Sequence, residues 1–184
     1  MATSPSPLRV ALTAVLPLTL LVAACSSSTT NQAKATQAAT HAAAAPLTPI
    51  AANATTTEGE VIVAVTANDF AFTLNRSRVP AGRVHVQLVN QSKDYEHEVW
   101  VYPQQQAKLQ DMLAQKRAGK DVEELDVLTG VAGHVEDVPA GQTAAFDATL
   151  TAGTYELACF ITSDIGGKKM VHYDMGMHTL LTVQ

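Results

Sequence analysis

Cysteine is nearly absent from this 184-residue chain, which holds only Cys25 and Cys159. One internal disulfide is the most it could form, and that excludes a disulfide-stapled scaffold. Aromatic residues make up 5%, with Trp100 the single tryptophan, so any core must rest on aliphatic side chains. Basic residues are also few: 12 Lys and Arg stand against 17 Asp and Glu, a net charge of −5. That balance argues against a nucleic-acid partner, which needs a basic face. Long apolar runs are missing with one exception, VALTAVLPLTLLVAA at 10–24, preceded by Arg9. The run is short for a bilayer span and Pro17 interrupts it.

Its length and small-residue end fit a secretory signal over residues 1–24. Val22-Ala23-Ala24-Cys25 resembles a bacterial lipobox, which implies cleavage before Cys25 and lipidation of its thiol. Two or more acyl chains would anchor the mature protein to the membrane stably. Cys159 is then left without an internal partner in an oxidising compartment. Three explanations remain open: an inert buried thiol, a pair between molecules, or a metal thiolate.

Residues 25–57 hold no aromatic residue and no apolar periodicity, only Ala, Thr, Ser and Gln in excess. Such a stretch cannot bury enough surface to offset its ordering entropy, so it reads as a flexible tether, His41 included. Residues 58–184 change character. EVIVAVT, DFAFTLN, RVHVQLVN, EHEVWVY, TAAFDATLT, TYELACF and HTLLTV alternate apolar and polar positions, separated by PAGR, PAGQ and TAGT. This pattern predicts an all-β Greek-key sandwich or barrel. YPQQQAKLQDMLAQKRAGK departs from it with Leu109, Met112 and Leu113 on one helical face. A helical insertion starting near Pro103 and ending at Gly119 is expected, covering a sheet edge or one end of the barrel. Trp100 should lie beneath it, and the charged run KDVEELD should be a solvated face.

Strand phase turns Cys159 to the side of Tyr155 and Leu157, and His97 to the side of Val99 and Val101. Further on, His172 and Met177 flank a tight Tyr-Asp-Met-Gly turn. Two imidazoles, a thiolate and a weak thioether suit a copper ion that changes oxidation state, because soft sulfur favours Cu(I) and imidazole also holds Cu(II). From about residue 60 onward the chain resembles the cupredoxins, the blue copper proteins. The matching features are His97-Glu98 on a strand, the PAGQ turn, TYELAC, and His172-x4-Met177 running into HTLLTV. The resemblance implies one mononuclear type 1 copper held by His97, Cys159, His172 and Met177. It also implies electron exchange with redox partner proteins through an exposed edge of His172, with Tyr173, Met175 and Gly176 as the docking surface.

One departure stands out. Twelve residues, FITSDIGGKKMV, separate Cys159 from His172, where the family usually has two to about five. Gly166-Gly167 and two lysines suggest an exposed flexible loop there. Met175 and Met170 are the other methionines near the axial position, in that order after Met177. His85, His134 and His178 are expected at the surface. The reading is a monomeric, membrane-tethered electron carrier outside the cytoplasmic membrane, not an enzyme. Its rivals are a Cu(I) chaperone, scavenger or resistance protein, and a metal-free adhesion or assembly module.

Overall fold

The computed structural model describes residues 50, 51 and 53–184; the expected signal and Cys25 lie outside them. Eleven strands form the described part: β1 Val61–Asn68, β2 Ala71–Leu74, β3 Arg78–Val79, β4 Gly82–Asn90, β5 His97–Pro103, β6 Gly133–Val138, β7 Thr143–Leu150, β8 Gly153–Ala158, β9 Thr162–Ile165, β10 Lys168–Val171 and β11 His178–Val183. One large sheet runs in the order β2-β1-β4-β7 and the other β3-β11-β8-β5-β6, while β9 and β10 form a separate two-stranded sheet. The β1/β4 and β3/β11 pairs are parallel and the rest antiparallel, so the chain crosses between two facing sheets. The all-β sandwich expected from the alternation is the fold observed.

Between the sheets lies an aliphatic core. Val63 and Val65 on β1, Val84, Val86 and Leu88 on β4, Val99 and Val101 on β5, and Leu157 and Leu181 all pack there. On β4 the polar partners point outward, and His85 meets Asp147 directly across the β4/β7 ladder at 2.7 Å. Side chains opposite each other on one sheet face are close enough to pair in this way.

β5 is buried along nearly its whole length, which alternation alone does not predict. Its other face is covered. Helix α1, Leu109–Arg117, lays Leu109, Met112 and Leu113 over Trp100, Tyr102, Ala158 and Phe160, forming a second apolar cluster. The insertion thus covers a sheet face, not an edge or a barrel end. It also starts later than Pro103, which closes β5 opposite Tyr155. Pairing to β6 stops at Val101, so Pro103 stands beyond the ladder in which its missing N–H would matter. The acidic run after the helix is not wholly solvated either. Glu124 is buried and paired with Lys116 of α1, as an almost inaccessible carboxylate must be paired.

Hydrogen bonds to the domain begin ahead of residue 58. The Arg76 guanidinium donates to the Ala54 carbonyl at 2.8 Å, and Asn75 donates to the Ala51 carbonyl at 3.0 Å.

Candidate metal centre

His97 opens β5 on its inner face, Cys159 directly follows β8, and His172 begins a short 3-10 turn, His172–Met175. All three side chains are fully buried. The sulfur of Cys159 lies 3.4 Å from Nδ1 of His172 and 4.0 Å from Nδ1 of His97. The donor atoms of the three residues fall within 4.8 Å of one another. A metal bonded to sulfur at about 2.3 Å and nitrogen at about 2.05 Å would hold those donors roughly 3.5–3.8 Å apart. The observed separations bracket that range, so the residues fit a soft transition-metal ion.

Two backbone features place the donors. Asn90, at the end of β4, is buried and donates through Nδ2 to the Tyr95 and Val138 carbonyls, while its Oδ1 accepts from Ser92. It thereby ties down the loop that delivers His97. Met177 does the same for the other two donors. Its amide donates to the His172 carbonyl at 3.1 Å, and its carbonyl accepts from the Cys159 amide at 3.0 Å. Gly176 between them sits at φ 105°, a left-handed conformation that glycine adopts without strain.

The electrostatics follow from burial. Desolvation lowers both His97 and His172 to about 4, and the neighbouring His172 adds to the effect on His97. Both rings are therefore neutral near pH 7, as a nitrogen donor must be. Among the described residues no group meets hydrogen-bond geometry at Nε2 of His97, although the Asp69 carbonyl is close enough to favour the protonated ring. Burial also pushes the Cys159 thiol well above its usual value, and Glu98 adds to this; the Glu98 and Ile161 amides and Lys116 oppose it. Glu98 itself is buried, and its Oε1 accepts from the Phe160 amide at 2.6 Å. Desolvation, with Glu124 beside it, lifts its carboxyl to about 8. This one side chain links the residue after His97 to the residue after Cys159.

The twelve-residue segment between Cys159 and His172 is exposed at its tip, as its glycines and lysines suggest, but it is not an irregular loop. It folds as the β9/β10 hairpin, with Gly166 and Gly167 at φ 61° and 80° forming the turn. Two successive left-handed positions are what a two-residue hairpin turn of matching twist requires. Ser163 on β9 brings its hydroxyl to 2.8 Å from Nε2 of His172. Phe70 and Tyr95 add edge-on contacts, with ring centroids 5.0 and 6.1 Å from the imidazole. His172 consequently has 0% exposure, and the exposed histidine edge implied by the resemblance does not exist here. Tyr173 instead stacks between Phe160 and His178, on the side of the helix cluster.

Of the three nearby methionines only Met177 is fully buried, in the same cluster as Cys159. Met175 and Met170 are half-buried. His178 is exposed as expected. His85 is half-buried on the outer face of its sheet, and His134 is also half-buried, stacked on Trp100 at 4.0 Å with planes 5° apart. Asn90 and Ser163 were not singled out by sequence, and Glu98 entered only as part of the His97-Glu98 motif, with no role of its own. For Ser163 a signal was present, since TSDI and KKMV flank a Gly-Gly pair in the manner of a hairpin.

No protein-family model matches the chain, and no curated protein sequence does. Solved structures do. Auracyanin from the photosynthetic bacterium Roseiflexus castenholzii, reduced with dithionite, superposes with a TM-score of 0.51 at 16% identity, over 68% of this chain and 98% of its own. Auracyanin A, described as a "blue" copper protein of Chloroflexus aurantiacus, gives 0.48 at 17% identity, over 68% of this chain and 100% of its own. Reduced rusticyanin gives 0.43 at 18%, over 68% and 79%. With its two facing sheets, and its buried His97, Cys159 and His172 between them, the chain has the cupredoxin fold.

Proposed function

We propose that this chain binds one copper ion through His97, Cys159, His172 and Met177 and works as a one-electron carrier. The observation that carries this reading is the convergence of two imidazole nitrogens on the buried Cys159 sulfur, at 3.4 and 4.0 Å. Bound copper would supply the chemistry by alternating between Cu(I) and Cu(II). The chain's own part is to hold the donors still. His97 and Cys159 are anchored at strand ends, and Met177 is tied by its backbone to both His172 and Cys159. A packed sandwich resists movement of its interior, so the donor set keeps one geometry through a change of charge. Ligation also requires the buried thiol to release its proton, and the Glu98 and Ile161 amides favour the resulting thiolate.

The rival copper-handling role needs an accessible site from which the ion is passed on. The hairpin that sets Ser163 against the buried His172, and the burial of Met177 where Met170 and Met175 are only half-buried, favour the carrier. A metal-free module would have no use for three neutral donors gathered in an apolar core. No catalytic activity is included in the reading, since the same cover keeps a substrate from the donors. The rest of the reading extends beyond the domain. Lipidated Cys25 would hold the protein on the outer side of a bacterial cytoplasmic membrane, and the tether would let the domain reach membrane-bound redox partners.

The test is spectroscopic. The copper-loaded chain is expected to show intense visible thiolate-to-Cu(II) absorption and a matching paramagnetic-resonance signal, both lost in Cys159→Ser. A colourless protein that binds only Cu(I) would assign it to copper handling. Absence of stoichiometric copper after loading would leave the metal-free module.

A further inference from the structure

We propose that Ser163, carried by the hairpin inserted between Cys159 and His172, is a positioning residue whose hydroxyl oxygen accepts a hydrogen bond from the Nε2–H of His172 and so keeps its Nδ1 free to bind the metal. The inference deepens the copper reading and rests on it for its consequence, though the hydrogen bond itself needs no metal. A neutral imidazole carries one proton on one of two nitrogens, and the partner of the protonated nitrogen decides which. In His172 the nitrogen facing Cys159 is Nδ1, 3.4 Å from the sulfur. Nδ1 can donate a lone pair only if Nε2 bears the proton. The Ser163 hydroxyl lies 2.8 Å from Nε2, and a hydroxyl oxygen can accept there.

The second imidazole is handled differently. Among the described residues no side chain hydrogen-bonds Nε2 of His97, and it is the backbone carbonyl of Asp69 that lies close enough to that ring to favour its protonated form. Ser163 reaches its place because of the hairpin's register. Thr162 pairs with Val171 and Ser163 with Met170, which folds β9 back beside the residue that precedes His172. The His172 amide closes the same turn by donating to the Ile161 carbonyl at 2.9 Å. The long segment is therefore not slack around the site; it supplies an outer partner for one ligand. Removing such partners of metal-bound histidines commonly weakens metal affinity by about 10- to 100-fold.

The test uses the full chain in two states. In copper-free native protein, nitrogen-resolved NMR of the imidazoles should report the Nε2-protonated tautomer for His172, with its proton protected from exchange. Ser163→Ala should lose that protection and weaken copper binding, read by competition with a chelator, by roughly 10- to 100-fold. Ser163→Thr, which keeps the hydroxyl, should restore both. An Nδ1-protonated His172 in the native protein overturns the proposal without any variant. So does a folded Ser163→Ala whose tautomer, exchange and affinity match the native protein. If native protein holds the Nε2 proton yet binds no copper, the hydrogen bond stands and the copper reading falls.

Discussion

His97 and His172 contribute to stability in opposite sense to Glu98, and the three titrate in neighbouring ranges. Burial lowers both histidines from 6.5 to about 4. In copper-free protein the unfolded chain takes up protons on them as pH falls through that interval, while the folded chain does not. Stability must therefore drop between those two values on the acid side and level off below. For Glu98, burial and Glu124 raise the carboxyl from 4.5 to about 8. Folded protein then keeps a proton that the unfolded chain has released, so stability falls as pH rises across that interval. Thermal melts of the copper-free chain should show a maximum at pH ~6.5, where proton uptake by the two histidines on unfolding balances release from Glu98. Glu98→Gln, which can still accept from the Phe160 amide, should flatten the alkaline limb and leave the acid limb in place. A profile that keeps its alkaline decline in that variant would show Glu98 not to be its source.

Elements meet closely where β6 crosses to β7. A Cβ built on Gly133 would stand 2.4 Å from two atoms of the Phe146 ring. Gly133 is paired with Val101 of β5, so its backbone is held by that ladder, and Phe146 packs against the sandwich core. Gly133→Ala should destabilise the domain by about 1–3 kcal/mol, the usual cost of overpacking. Combining it with Phe146→Ala should recover part of that loss, giving a coupling measurable by denaturant titration of the two single variants and the double. Simple addition of the two losses would mean that the ring moves freely aside. Neither residue looks special in sequence. Gly133 sits in an ordinary Ala-Gly-His context, and its partner is thirteen positions away on another sheet.

For the molecule as a whole, the proposed attachment to a membrane rests on Cys25. Expressed in a bacterium, the native chain is expected to sediment with membranes and incorporate labelled palmitate, whereas Cys25→Ala should take up no label. Labelling that persists in the variant would place the lipid elsewhere. A flexible segment of about thirty residues, as proposed for the tether, would have a root-mean-square reach of roughly 30 Å.

The all-β class, the inward phase of His97 and Cys159, and the helical insertion over Trp100 were legible in the sequence. Each depends on a local periodicity of side chains, and a period of two or 3.6 can be read without knowing the neighbours. The pairing of strands was not legible, and the meeting of His97, Cys159 and His172 around one point followed from the resemblance to the cupredoxins and not from any local pattern. Those residues lie on three segments, and their approach is a product of sheet order. Burial of Glu98 and Glu124 was hidden for the same reason, since their partners, the Phe160 amide and Lys116, are brought to them only by the folded chain. The segment from Phe160 to Val171 marks the division most clearly. Its length and its glycine pair could be counted along the chain. That it closes back on itself as a hairpin and sets a serine against His172, instead of leaving that ring open to solvent, depended on long-range packing around the imidazole.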